Sequence, residues 1–228
     1  MGITREMSKI LSTSTAITTD AEISAYNYLS QSTASATYLN QAAYLPGLVL
    51  IRPTSVVNGT IGTNGTVTFS NAATVSLNEC FSSSYQDYKI VVSGLTAAAA
   101  ANISVRFRSS GTDNAGGDYK FHFQGVYGDA GTTFSGGSNG TSSISNMLYL
   151  LNTSDGGGAY INLEVTNPFL SVTTAGTWDT YAYQVDTTVR VSKRGGFANT
   201  TQTSFDGFTI LPNTSSISGT VKVYGYRD

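Results

Sequence analysis

The amino-acid sequence predicts an all-β protein: a two-sheet antiparallel sandwich of jelly-roll type, preceded by a short, partly helical N-terminal arm. From Leu48 onward, apolar residues alternate with polar ones, which is the pattern of strands with one buried face. These segments recur about every ten to fifteen residues, separated by clusters of Gly, Asn, Asp and Ser. The chain also has 24 glycines, and only 11% of its residues are charged. Together these features favour strands and turns over helices.

Residues 1–46 are predicted to form an attachment arm, and residues 47–228 the sandwich. The arm is rich in Ala, Ser, Thr, Gln and Tyr. Thr19 and Glu22 have the spacing of a capping box, which predicts one amphipathic helix after them. Its apolar stripe is too narrow for a core of its own, so we expect the arm to lie on its own body or on a partner. The predicted partner-docking residues are Ile23, Tyr26, Leu29, Tyr38 and Leu39.

Ten segments of the sandwich each present one apolar face. The residues of these faces are Val67/Phe69, Val75/Leu77, Tyr88/Ile90/Val92, Ile103/Val105/Phe107, Tyr119/Phe121/Phe123, Ile161/Leu163/Val165, Tyr181/Tyr183/Val185, Val189/Val191, Phe208/Ile210 and Val221/Val223. Two sheets packed face to face satisfy this pattern, since each sheet buries one side and exposes the other.

Glycine and asparagine mark the connections between these segments. Asn58-Gly59 and Asn64-Gly65 are hairpin signals. Longer Gly-rich stretches at 109–118, 128–146 and 153–158 are predicted to be loops at the ends of the sandwich. We expect any ligand to contact these loops.

Several classes of protein are excluded by composition. The net charge is −2 and the basic residues are scattered, so no nucleic-acid-binding surface is expected. No apolar run approaches the length of a membrane span, and no segment resembles a signal peptide. One cysteine and one histidine exclude an intrachain disulfide framework and a zinc site of the usual kind. We therefore expect no metal centre and no cofactor.

No catalytic constellation is recognisable either, so we do not expect an enzyme. His122 occupies an outward position between two phenylalanines, and the sequence has no nucleophile elbow. Cys80 has no cationic neighbour that would activate it, and is predicted to be a small buried residue. The loop aspartates show no spacing that singles out an acid pair. Calcium binding near Asp113 is kept only as a minor alternative, because turn-forming residues are the better explanation of that segment.

The closing strand places Val221 and Val223 on one face and Tyr224 and Tyr226 on the other. Tyrosine on an outer face suits a subunit interface or a sugar-stacking platform. We interpret Tyr224 and Tyr226 as interface residues, with simple coverage of a neighbouring loop as the alternative.

Five ordered segments of the body carry a resemblance to a known family. They are SLNECFSSSYQDYKIVVSGL, VRFRSSGTDNAGGDY, INLEVTNPF, FDGFTILP and SGTVKVYGYRD. This succession resembles a β-rich module of tailed-bacteriophage virion surface proteins, of tail-fibre or capsid-decoration type in marine phages. The resemblance covers about residues 65–228. It implies a display module on the outside of the virion, commonly trimeric, behind a variable attachment segment.

The functional expectation combines these features. The chain is predicted to be a non-enzymatic virion protein whose arm docks on another protein of the head or tail and whose sandwich displays possible host-glycan contacts. The predicted ligand residues are Tyr127, Phe134, Trp178, Asp113 and Asp118. Two alternatives stay open: a carbohydrate-binding module of a cell-surface or secreted protein, and a glycan depolymerase that uses loop carboxylates.

Overall fold

A computed structural model describes residues 47–128, 131–150, 158–184 and 189–227. The predicted arm, with its helix and its docking residues Ile23, Tyr26, Leu29, Tyr38 and Leu39, lies outside the described residues. Among the described residues, no helix is long and apolar enough to cross a membrane.

The described residues form sixteen β-strands and no helix. The strands are β1 (Gly47–Ile51), β2 (Ser55–Val57), β3 (Thr60–Ile61), β4 (Val67–Ala72), β5 (Val75–Asn78), β6 (Asp87–Ala97), β7 (Ala101–Ser109), β8 (Thr112–Asp113), β9 (Tyr119–Tyr127), β10 (Thr133–Thr141), β11 (Ile144–Leu150), β12 (Ala159–Thr166), β13 (Thr174–Gln184), β14 (Val189–Asn199), β15 (Gly207–Pro212) and β16 (Ile217–Arg227).

These strands build two antiparallel sheets. The ten-stranded sheet has the order β10-β9-β14-β13-β12-β6-β16-β4-β3, with β1 added beside β16. The six-stranded sheet has the order β11-β7-β15-β5-β2, with β8 added beside β7. The predicted all-β class and the two antiparallel sheets are therefore confirmed.

One apolar cluster joins the inner faces of both sheets. Phe107 of β7 lies 5.8 Å from Phe197 of β14, measured between ring centroids, and so connects the six-stranded sheet to the ten-stranded one. Phe107 also stacks on Phe205 at 5.3 Å. The inward faces predicted for the segments around Ile103 and Ile161 are confirmed, because their alternate residues are buried here. When only one side of a strand packs against the core, the alternation of apolar and polar residues predicts which side is buried.

The face predicted for β13 is wrong. Tyr181 was expected in the core, but it is 41% exposed, and Trp178, Thr180 and Ala182 point inward instead. Strand alternation puts Trp178 and Tyr181 on opposite faces, and the larger, more apolar indole takes the core position. The tyrosine ring is amphipathic and remains on the outer face.

The Gly-rich stretch predicted as a loop at 128–146 contains strand β10 and the start of β11. Gly136 of β10 lies opposite Phe123 of β9, and Gly125 of β9 lies opposite Phe134 of β10. A Cβ on either glycine would collide with the facing ring. Each phenylalanine ring thus packs over the glycine directly opposite it on the neighbouring strand. This reciprocal packing between β9 and β10 favours a strand over a loop.

The two predicted turns differ in outcome. The Asn64-Gly65 turn joins β3 to β4, and Gly65 has a φ of 83°. The Gly62 N–H donates to the Thr66 carbonyl at 2.8 Å, which closes the hairpin. Asn58-Gly59 instead links strands of different sheets, since β2 pairs with β5 and β3 pairs with β4. This turn is therefore a corner of the sandwich and not a hairpin.

Candidate functional site

The candidate site is an open groove on the outer face of the ten-stranded sheet, the face turned away from the core. It has a volume of about 810 Å³ and crosses β10, β9, β14, β13 and β12. Strand register arranges its lining into two adjacent cross-strand rows. The first row, which we call the aromatic row, consists of Thr133, Val126, Ser192, Tyr181 and Tyr160. The second, the polar row, consists of Ser135, Gln124, Arg194 and Asp179.

The aromatic row holds two tyrosines that lie directly opposite each other on neighbouring strands. Tyr160 on β12 pairs in register with Tyr181 on β13, and their exposed fractions are 38% and 41%. Val126 is exposed by 38% on β9. Sequence reasoning missed this pair: Tyr160 was not selected, and Tyr181 was placed in the core. Taking Trp178 as the inward residue of β13 would have placed Tyr181 on the outer face.

The polar row contains an exposed ion pair. The Nε of Arg194 lies 2.6 Å from Oδ1 of Asp179, and the two side chains are 82% and 43% exposed. The hydrogen bond to Asp179 raises the pKa of Arg194 above its usual range. Because the two charges lie side by side, this part of the groove carries no net charge. Gln124, directly opposite Arg194, adds an amide that can both donate and accept.

Tyr224 and Tyr226 lie on the outer face of β16, as their alternation predicted. Tyr226 is 37% exposed, Tyr224 is half-buried, and Leu48 of β1 lies directly opposite Tyr226. The Tyr226 hydroxyl donates to Oε2 of Glu164 at 2.8 Å. Partial burial, together with this carboxylate, raises the pKa of Tyr226 to about 12. We call the surface formed by Leu48, Tyr224 and Tyr226 the β16 patch.

Two of the predicted ligand residues are brought together, but on the inner side of the sheet edge. The rings of Tyr127 and Phe134 are 4.7 Å apart. The Nζ of Lys193 lies 5.6 Å from the Phe134 ring centre and 5.0 Å from that of Phe123. Burial lowers the pKa of Lys193. The cluster therefore packs against itself, with the cation held over two aromatic faces.

Trp178 is not available to a ligand as predicted, because it is 1% exposed in the core. Its ring lies 6.4 Å from those of Phe121 and Phe197. Asp113 is not a free acceptor either. Its carboxylate pairs with Arg108 and accepts a hydrogen bond from Oγ1 of Thr209 at 2.7 Å. Trp178 and Asp113 were predicted as ligand residues because of their side-chain chemistry, but both side chains are used in packing and pairing within the sandwich.

Asp118 lies at the start of β9, away from the groove. It is half-buried, and its carbonyl accepts a hydrogen bond from the Thr200 N–H at 3.1 Å. In the described part of the chain, no group of three or more His, Cys, Asp or Glu side chains could hold a metal ion.

His122 and Cys80 have the environments that the sequence predicted. His122 is exposed on the outer face of β9. Cys80 is 1% exposed, and burial raises the pKa of its thiol well above the usual range. A buried, neutral thiol is a packing residue and not a nucleophile.

Comparisons with known proteins assign no family. No protein-family model and no curated protein matches the sequence. Among solved structures, the CBM2 module of the evolved Dit of Lactobacillus casei BL23 phage J-1 is similar at 9% sequence identity. The match covers 80% of this chain and 91% of that chain, with a TM-score of 0.24.

Proposed function

We propose that this chain is a non-enzymatic structural protein of a bacteriophage virion. In this proposal, residues 1–46 anchor it to a head or tail component. The sandwich, of jelly-roll type, is displayed on the outer surface of the particle as a short tail fibre or capsid decoration. The five ordered segments that resemble phage virion modules support this assignment.

The observation that carries the display role is the exposure of large apolar and aromatic residues on one sheet face. Leu48 and Tyr226 form one cluster, and Val126, Tyr160 and Tyr181 form another. Exposed clusters of this kind mark surfaces that contact another molecule. The polar surroundings and the low charge of the chain allow identical copies to pack without mutual repulsion.

The two clusters suit two different partners. The β16 patch includes Leu48 of β1, the first described strand after residues 1–46, and we assign this patch to contacts between copies of the chain. The trimer is the oligomer that the family resemblance implies. The groove lies across β12 and the strands beyond it, on the other side of β6 from β16, and is left for a ligand.

A carbohydrate-binding module of a cell-surface or secreted protein is the second candidate. The directly opposed Tyr160 and Tyr181 favour it, because two exposed aromatic rings offer a stacking surface. The two functions differ in what the arm does. A virion protein needs residues 1–46 for assembly, whereas a sugar-binding module does not need them for binding.

The test is to delete residues 1–46 and measure incorporation into purified phage particles by quantitative mass spectrometry. We expect incorporation to be lost while the purified sandwich keeps the circular dichroism spectrum of a folded β-protein. A matched full-length variant, Lys222→Ala on the outer face of β16, should be incorporated normally. Full incorporation without the arm would contradict the anchoring role, and absence of the full-length chain from the particles would favour the second candidate.

A further inference from the structure

We infer that the groove across β10 to β12 is a binding site for a neutral oligosaccharide. This inference deepens the proposed display function by naming the ligand and the residues that hold it. It does not depend on whether the arm anchors the chain to a head or to a tail.

The dimensions of the groove fit an extended chain and not a single small molecule. The groove crosses five strands. Neighbouring strands are about 4.8 Å apart, so it extends about 19 Å across the sheet. Its two rows are two residues apart along each strand, a separation of about 7 Å. A linear ligand lying across the strands would contact both rows along its length.

The aromatic row provides the surface for the C–H faces of sugar rings. Tyr160 and Tyr181 lie opposite each other with more than a third of each side chain exposed, and Val126 continues the row two strands away. Tyrosine gives a large contact area at low entropic cost, since only two side-chain torsions need to be fixed. A sugar ring with apolar C–H groups on one face matches such a platform.

The polar row provides the hydrogen bonds that hydroxyl groups require. Arg194 donates, Asp179 accepts, and Gln124 does both. Because Arg194 and Asp179 form an ion pair, the charge presented by the row is balanced. A balanced row favours a ligand with many hydroxyl groups and no net charge over an anionic polymer or a charged peptide.

A protein partner fits this groove less well than a sugar. The core of a protein–protein contact is depleted in Asp, Glu and Lys, whereas the polar row ends in an exposed Arg–Asp pair. The β16 patch, with Leu48 beside Tyr226, has the more apolar character that a second copy would use. The groove is therefore assigned to carbohydrate, and contacts between copies to the β16 patch.

The experiment measures binding of the full-length chain to a panel of hexasaccharides by isothermal titration calorimetry. The neutral probes are maltohexaose, cellohexaose, laminarihexaose, mannohexaose and chitohexaose, and the acidic comparator is a hexamer of galacturonic acid. We expect at least one neutral probe to bind at millimolar concentration or below, and more tightly than the acidic one. The double substitution Tyr160→Ala with Tyr181→Ala should weaken that binding by about tenfold or more.

The matched control is His122→Ala, which removes an exposed ring from the same sheet face, outside both the groove and the β16 patch. Its affinity should stay within about twofold of the unchanged protein. Thermal unfolding shows that each variant is folded. Incorporation of the double variant into particles should be normal, which separates a failed binding site from a failed virion assignment.

Four outcomes would overturn the inference. They are no binding of any neutral probe at millimolar concentration, tighter binding of the acidic hexamer, equal affinity in the folded double variant, and an oligomer that dissociates when the groove tyrosines are replaced. The last outcome would make the groove an interface between copies.

Discussion

Replacing Arg108 with alanine should strongly destabilise the six-stranded sheet. Its side chain is only 10% exposed and connects four elements. The guanidinium donates to Oγ1 of Thr209 at 2.9 Å, to Oγ of Ser76 at 3.1 Å and to Oδ1 of Asn78 at 3.0 Å, and it pairs with Asp113. Alanine would leave the Asp113 carboxylate without its cation and would remove one donor each from the hydroxyls of Ser76 and Thr209 and from the amide oxygen of Asn78.

The size of the effect follows from burial. Removing one partner of a buried ion pair costs about 3–5 kcal/mol. Because the Asp113 side chain is 25% exposed, the lower end, about 3 kcal/mol, is the better expectation. For a domain of this size, 1 kcal/mol changes the melting temperature by about 2–4 °C, so Arg108→Ala should lower Tm by about 6–12 °C.

The assay is urea unfolding followed by the fluorescence of Trp178, which is buried in the core. Arg194→Ala is the matched control, because it also breaks an Arg–Asp pair, but one in which the arginine is 82% exposed. We expect no measurable loss of stability in the control. If the two alanine variants unfold at the same urea concentration, the argument from burial is refuted.

Three further predictions concern a phenol, a thiol and a glycine. Since partial burial and Glu164 raise the pKa of Tyr226 from 10.0 to about 12, its contribution to stability is complete below pH 10 and is lost as the pH rises towards about 12. Tyr226→Phe should therefore flatten the alkaline fall in unfolding free energy, and an unchanged fall would contradict this. The buried thiol of Cys80 should react with Ellman's reagent only as fast as the chain unfolds, and rapid reaction in the folded state would show that it is accessible. Gly195→Ala should cost about 3 kcal/mol or more in urea unfolding, because its Cβ would collide with the buried indole of Trp178 and lie 2.5 Å from the carbonyl oxygen of His122. Gly196→Ala, which meets only the edge of an exposed imidazole at 3.0 Å, should change the stability by less than about 1 kcal/mol, and equal losses would refute the steric argument.

The strands that could be predicted from sequence are those whose two faces differ clearly in polarity. In Ile103–Phe107 and Ile161–Val165, aliphatic and aromatic residues alternate with polar ones, and burial follows the pattern. Strand β10 could not be predicted in this way, because TFSGGSNGT shows no apolar face of its own. Glycine is favourable at Gly136 of β10 only because Phe123 of β9 lies opposite it, and the sequence of β10 alone does not contain that pairing.

The candidate site was missed for a similar reason. Tyr160 and Tyr181 are far apart in sequence, and only the register between β12 and β13 places them opposite each other. The outward position of Tyr181 could have been inferred from Trp178, three residues earlier, since an odd separation on a strand means opposite faces. Trp178 and Asp113 look like ligand residues by type, whereas their burial and partners become visible only in three dimensions.

The pairing of β1 with β16 places Gly47 directly opposite Arg227. Both ends of the described unit therefore emerge at one corner, as the two legs of an inserted domain do. Such a unit can be inserted into a surface loop of another protein without separating the two ends of that loop. It can also be attached through one end alone. The groove begins at β12, three strands from β1 in the ten-stranded sheet, so a label or carrier attached at either end would leave it open.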